Sequence, residues 1–278
     1  NESASSEARW NTLGQVTSSL ISHTGSYATT GSNTFVGNQI ISGSVYITSD
    51  LVVYGSSSIQ NISAWINTER RFMETNLNFS AAGFLLPTSS GTFGLQVNYF
   101  GYDLWNQKKI GLAYGRKFSN SVSGGLQLDY LGTSIFETGN ASAVTFEAGI
   151  QVQVLKQLRF GAHLFNPVRI KMGFDESETI PTRLKFGFSY QPSQSVLLST
   201  EVEKDIDYKP SFKSGIEYNP VKKLSLRAGI RTQPFQSCFG VGINLDHLKI
   251  DLSGNYHPVL GYTPSLGLCY SFSSHKKN

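Results

Sequence analysis

The sequence predicts an all-β chain that closes into a transmembrane, up-and-down antiparallel β-barrel of about fourteen strands, preceded by a polar Ser/Thr/Gly-rich segment. Three observations carry this expectation. From Gly91 to Phe272 short segments alternate apolar and polar residues with period two, each closed by a turn. No apolar run approaches the roughly 20 residues that a membrane-spanning helix needs. Short and longer connections alternate along the chain, the layout of an outer-membrane barrel with periplasmic turns and outside loops.

Residues 1–64 differ from the rest in composition. Ser, Thr, Gly and Asn dominate, as in Thr24-Gly-Ser-Tyr-Ala-Thr-Thr-Gly-Ser-Asn-Thr-Phe35, and charge almost vanishes. Gln39 to Ile47 and Leu51 to Tyr54 are β-prone pieces spaced by Gly-Ser turns. From Asn1 no basic stretch, apolar core or cleavage site is visible, which fits either a leader already removed or a fragment. A domain boundary is expected near residue 65, where Glu69-Arg-Arg71 restores charge. The barrel then runs over 65–272 and a polar tail over 273–278. About thirteen strands follow Asn76; an even count needs one more from upstream.

Within the barrel, Leu126, Leu128 and Tyr130 oppose Gly125, Gln127 and Asp129. In the next segment Val144, Phe146, Ala148, Ile150, Val152 and Val154 form one face. Leu184, Phe186, Phe188 and Tyr190 repeat the pattern, as do Phe239, Val241, Ile243 and Leu245. One face is therefore apolar and often aromatic. The opposite face carries Lys117, Asp129, Glu147, His163, Lys185, Glu201, Glu203, Lys213, Glu217, Arg227 and Asp251, which are the candidate lumen-facing polar residues. Thirteen Tyr and eighteen Phe suit aromatic girdles, and 27 Gly suit tight turns and a crowded lumen wall.

The connections assign the ends. Phe118 to Ser121, Leu155 to Gln157, Gln191 to Gln194, Asn219 to Lys222 and Asp246 to Lys249 are tight. Phe100 to Lys108, Gly132 to Ser142, Asn166 to Thr182, Glu203 to Ser211, Thr232 to Ser237 and His257 to Ser265 are expected to be mostly longer, so that all tight turns fall at one end.

Composition excludes several classes of function. A formal charge of +4 without a basic cluster argues against nucleic acid. Cys238 and Cys269 fall on strands separated by another, roughly 10 Å apart and too far for a disulfide. Glu201 and Glu203 share a face, but pairing across strands with Lys213 accounts for them better than catalysis or cation binding. Asp251, Ser253 and His257 lie on one strand, spread over about 13 Å, too far for a hydrogen-bonded relay. Gly240-Val-Gly242 sits inside a strand with no helix after it, so a dinucleotide reading fails. Asp175-Glu-Ser-Glu178 reads as a solvated loop tip. No catalytic residue, metal site or cofactor is expected.

Two resemblances add to this reading. Leu86 to Leu95, Lys109 to Phe118, Gly125 to Tyr130, Gly161 to Pro167, Glu203 to Pro210 and Tyr256 to Tyr262 resemble the FadL-related outer-membrane barrels of the PorV/PorQ type found with type IX secretion systems. That resemblance spans about residues 70–272. It implies a non-enzymatic outer-membrane protein that supports secretion as a shuttle or docking site for exported cargo. It implies, as the less favoured second alternative, a FadL-like transporter of hydrophobic compounds, which wants an apolar passage where the inward face here bears many charges. Members of that group carry an Asn-Pro-Ala-Gly-like stretch that plugs the lumen, and residues 1–64 contain none. Those residues instead resemble phage tail-fibre repeats, so a surface fibre or adhesin with a β-rich tip is the first alternative. Gly267, Tyr270 and Phe272 are similar to the last-strand signal that barrel-insertion machinery reads. The expected partners are outer-membrane lipid, that machinery and secretion components or cargo.

Overall fold

The computed structural model describes residues 62–137, 139–172 and 178–272. The fibre-like reading of the N-terminal segment, the acidic tip from Asp175 to Ser177 and the polar tail lie outside the described residues.

Period-two alternation becomes strand wherever it was visible, and the strands run further than the apolar pattern. In chain order they are β1 (Ser63–Arg70), β2 (Asn78–Pro87), β3 (Thr92–Tyr102), β4 (Trp105–Lys117), β5 (Val122–Ile135) and β6 (Gly139–Gln153). Next come β7 (Leu158–Phe165), two short strands β8 (Lys171–Met172) and β9 (Glu178–Thr179), then β10 (Arg183–Ser193) and β11 (Val196–Asp205). The series ends with β12 (Ser211–Val221), β13 (Leu224–Thr232), β14 (Phe235–Asn244), β15 (Leu248–His257) and β16 (Gly261–Ser271). Fourteen of these form one closed antiparallel barrel, while β8 and β9 pair with each other as a ribbon in the β7–β10 connection. Neighbours in sequence are neighbours in the wall, and β1 closes the ring against β16 from Ser63↔Ser271 to Glu69↔Ser265. Strand β1 is the upstream member that an even count required.

One expectation about the connections is corrected. Tight turns occur at both ends: β3 and β4 are joined by Asp103 and Leu104, β13 and β14 by Gln233 and Pro234, β15 and β16 by residues 258–260. The strands continue past the apolar band as polar extensions, for example through Asn106↔Ser134 and Gln107↔Thr133 on β4 and β5. Such extensions lack the alternation that marks a strand in sequence and so read as loop. The β7–β10 connection over 166–182 remains long, and its end of the barrel is called the ribbon end below; the opposite end is the short-turn end.

The faces sort by polarity. Outward positions carry exposed apolar side chains, among them Leu112, Leu126, Leu128, Val144, Phe186, Phe239 and Leu252. Charged outward side chains, Arg70, Lys108, Arg116 and Lys204, sit near strand ends, which leaves an uncharged band between the rims. Tyr114, Tyr190, Tyr218 and Tyr270 ring the short-turn end, and Tyr256 meets Tyr262 in a tilted pair at 4.9 Å near the other. Buried polar residues line the interior instead, an inversion of a soluble protein. A closed cylinder whose apolar face looks outward can bury that face only in hydrocarbon, and its strands pair around the full ring with no edge strand left open, so the chain is an outer-membrane barrel.

Candidate functional site: the barrel lumen

The lumen has two walls of opposite character. On β1, β2, β3 and β16 the inward positions bring together Trp65, Phe79, Ala81, Leu85, Phe100 and Cys269 as one buried apolar cluster, with Leu77 and Trp105 packed against it. Each of these strands has small or apolar residues at inward positions, so large rings fit. Gly83 shows this: a Cβ there would lie 2.4 Å from Trp65 Nε1, and the missing side chain lets the indole lie across β2. Phe100 meets Trp105 edge-on at 5.5 Å. Arg71, in the tight 3-10 turn Arg71–Met73 after β1, folds back over this wall with its guanidinium 4.3 Å from the Phe100 ring centre. Glu69 holds it there at 3.1 Å. Amides interrupt the apolar surface, with Gln96 donating to Asn98 at 3.1 Å and Ser265 donating to Asn67 at 3.1 Å.

The remaining wall, from β4 to β15, is ionic. Its first group joins Lys109 to Asp129 at 3.5 Å and to Glu147, whose other oxygen meets His163 Nε2 at 2.9 Å. Gly111 makes room for it, since a Cβ there would fall 2.8 Å from Asp129 Oδ1. A second group centres on Glu203, which takes Lys213 at 2.6 Å, Arg231 at 3.4 Å and Lys185 at 3.7 Å. Glu201 also takes Lys213, its partner across β11 and β12, at 2.9 Å. Phe165 bridges the two groups, with Lys109 5.1 Å and Arg183 4.7 Å from its ring centre. The third group runs from Glu217 through Arg227, at 2.6 Å, to Asp251 and then Lys249 at 3.6 Å.

Ten of the residues singled out in the sequence therefore stand buried or half-buried in this wall: Asp129, Glu147, His163, Lys185, Glu201, Glu203, Lys213, Glu217, Arg227 and Asp251. The eleventh, Lys117, ends β4 at the short-turn rim and is exposed, because the strand stops there. Lys109, Arg231 and Lys249 complete the pairs and were not singled out. They keep the parity of Lys117, Arg227 and Asp251 on their strands, which is the signal that finds them. His257 Nδ1 accepts the Val259 and Leu260 N–H groups at 3.2 and 3.1 Å, which commits it to the β15–β16 turn rather than to a relay. Cys238 and Cys269 are free and buried, with β15 between their strands. Gly267 lies opposite Asn67 and Asp251, and Tyr270 meets Phe272 edge-on at 4.9 Å on the outer surface.

Chemically, the ionic wall is a set of cross-strand braces, and the apolar wall is a packed cluster of rings and methyl groups with almost no accessible surface of its own. No family model matches this chain, and no curated protein matches it. Solved structures do. The toluene transporter TodX of P. putida aligns at TM-score 0.63 and 9% identity, over 84% of this chain and 100% of TodX. The CymD monoaromatic hydrocarbon channel aligns at TM-score 0.56 and 10% identity, over 78% and 90% of the two chains. A Pseudomonas aeruginosa FadL homologue gives TM-score 0.56 and 12% identity, over 78% and 91%. At these identities the likeness is one of fold alone, a closed barrel shared with these three proteins.

Proposed function

We propose that this barrel passes small apolar molecules across the outer membrane. The observation that carries the reading is the aromatic and aliphatic wall formed by Trp65, Phe79, Leu85 and Phe100 inside an otherwise ionic lumen. An apolar ligand that parts these packed side chains loses its water among them, gaining about 25 cal/mol for each Å² buried. The fold likeness to a toluene transporter and a hydrocarbon channel supports the same reading, which ranks it above the secretion role. The barrel is tested in vesicles whose outer leaflet is lipopolysaccharide. Toluene crosses faster with the barrel present, and Leu85→Arg, which sets a charge on the apolar wall, removes most of that gain. Equal rates with and without the barrel overturn the reading.

The second reading, docking of exported cargo beside a type IX secretion system, rests on the resemblance over about residues 70–272. The long β7–β10 connection with its ribbon supports it as a surface for a partner. Deleting the gene would then stop export of cargo proteins and leave toluene uptake unchanged. We further infer that Gly267, Tyr270 and Phe272 serve insertion; Phe272→Ala would slow assembly into membranes without changing the assembled barrel.

A further inference from the structure

The outer surface of the barrel is not uniformly convex. Over β4 to β7, near the short-turn end, a groove of about 590 Å³ opens toward the lipid. Its floor is Gly124, Ala148 and Ala162, and Phe118, Leu126 and Ile150 form its sides. The register explains the hollow. Gly124 faces Ile150, which faces Ala162, while in the next row Leu126 faces Ala148 and Ala148 faces Leu164, so small and large outward residues alternate as a checkerboard and the three small ones surround Ile150. The Phe118 ring lies over the bare Gly124 backbone, where a Cβ would come within 2.7 Å of it.

Arg116 stands at the mouth, opposite Gly124 across β4 and β5. It is exposed, on an outward position, and no carboxylate pairs with it among the described residues. The rim at this end is basic: Arg116, Lys117, Lys156, Lys222 and Lys223 lie at or beside its turns against Asp246. An unpaired guanidinium at the edge of an apolar band attracts an anion, and near a membrane surface such cations draw anionic lipid. The end with tight turns and no long connection is the periplasmic one, and its leaflet is phospholipid.

We propose that this groove seats one acyl chain of a periplasmic-leaflet phospholipid whose phosphate is held by Arg116. The site is separate from the lumen and independent of what the lumen passes. Its chemistry combines an apolar channel for methylenes with a bidentate donor for a phosphate.

The full chain is purified in detergent, mixed with palmitoyl-oleoyl phosphatidylglycerol and analysed by native mass spectrometry beside the Arg116→Gln and Ala148→Trp variants. The diacylglycerol with the same chains serves as the phosphate-free probe. Wild type retains one phosphatidylglycerol through delipidation. Arg116→Gln lowers that retention about tenfold and leaves diacylglycerol retention unchanged, while Ala148→Trp, which fills the groove, lowers both. The shift in gel mobility on heating confirms that each variant is a closed barrel; if Ala148→Trp does not close, Ala162→Leu takes its place. Equal phosphatidylglycerol retention by wild type and Arg116→Gln overturns the proposal. So does retention of lipopolysaccharide in its stead, or loss of both lipids in Arg116→Gln.

Discussion

The Arg227 guanidinium on β13 reaches the Asp251 carboxylate on β15 across the intervening strand β14, and it does so over Gly242. A Cβ on Gly242 would lie 2.5 Å from Asp251 Oδ1 and 3.2 Å from both terminal nitrogens of Arg227. The brace and the glycine are therefore one feature.

This fixes the sign of a substitution that propensity alone gets wrong. Glycine inside a strand is worse than alanine by about 0.5–1 kcal/mol, so Gly→Ala should stabilise where space allows. At Gly240 it does allow, because a Cβ there meets its nearest neighbour, Ser253 Cβ, at an ordinary 3.4 Å. Gly240→Ala is expected to be neutral or to gain about 0.5 kcal/mol. Gly242→Ala is expected to lose about 2 kcal/mol as buried charges part. Urea unfolding in lipid vesicles, followed by gel mobility, measures both; a loss at Gly240 equal to that at Gly242 contradicts the account.

Glu203 and Glu201 differ in the same way. Glu203 is shared by Lys213, Arg231 and Lys185, whereas Glu201 shares Lys213 with it. Removing the charge at Glu203 leaves three cations crowded around one remaining acid. Glu203→Gln should cost about 3 kcal/mol, in the range for breaking a buried pair, and Glu201→Gln about 1 kcal/mol. The same unfolding measurement ranks them, and the reverse order would show that Glu201 is the hub.

The contrast between these glutamates also shows what the sequence could and could not reveal. Both were visible as inward and polar, because period two separates faces without knowledge of the partner strand. Glu201 opposite Lys213 followed from adjacent segments. That Glu203 gathers Arg231 as well depends on register summed over β11, β12 and β13, and residues 28 positions apart leave no local pattern. The apolar lumen wall escaped for a related reason. Phe79 and Phe100 on inward positions break the rule that aromatic means outward, and only the ring's closure brings Trp65 against Cys269 from the far end of the chain. Connections read longer than they are where polar strand extensions carry no alternation to mark them.

Gly83 and Trp65 permit a spectroscopic test of that wall. The indole occupies the space that a Gly83 side chain would need. Gly83→Ala should tilt the ring, shift tryptophan emission and cost about 1–3 kcal/mol, the usual range for overpacking. A variant with unchanged emission, compared in a background where Trp10 and Trp105 are Phe, would mean that the indole is not held over β2.

The lipid face can be probed by depth. Leu128 lies midway along β5 on the outer surface and is 56% exposed, whereas Tyr262 begins β16 near the ribbon-end rim and is 65% exposed. Accessible area alone would make the two substitutions equally harmless. In a bilayer they differ, since an arginine at the midplane must leave water while one at the rim keeps it. Leu128→Arg is expected to cost about 2–4 kcal/mol and Tyr262→Arg about 0–1 kcal/mol, measured by reversible unfolding from lipid vesicles. In detergent micelles, which deform around a charge, the gap should shrink. Equal costs in vesicles would place the apolar band somewhere other than in hydrocarbon, and the transport role and the lipid groove would both lose their setting.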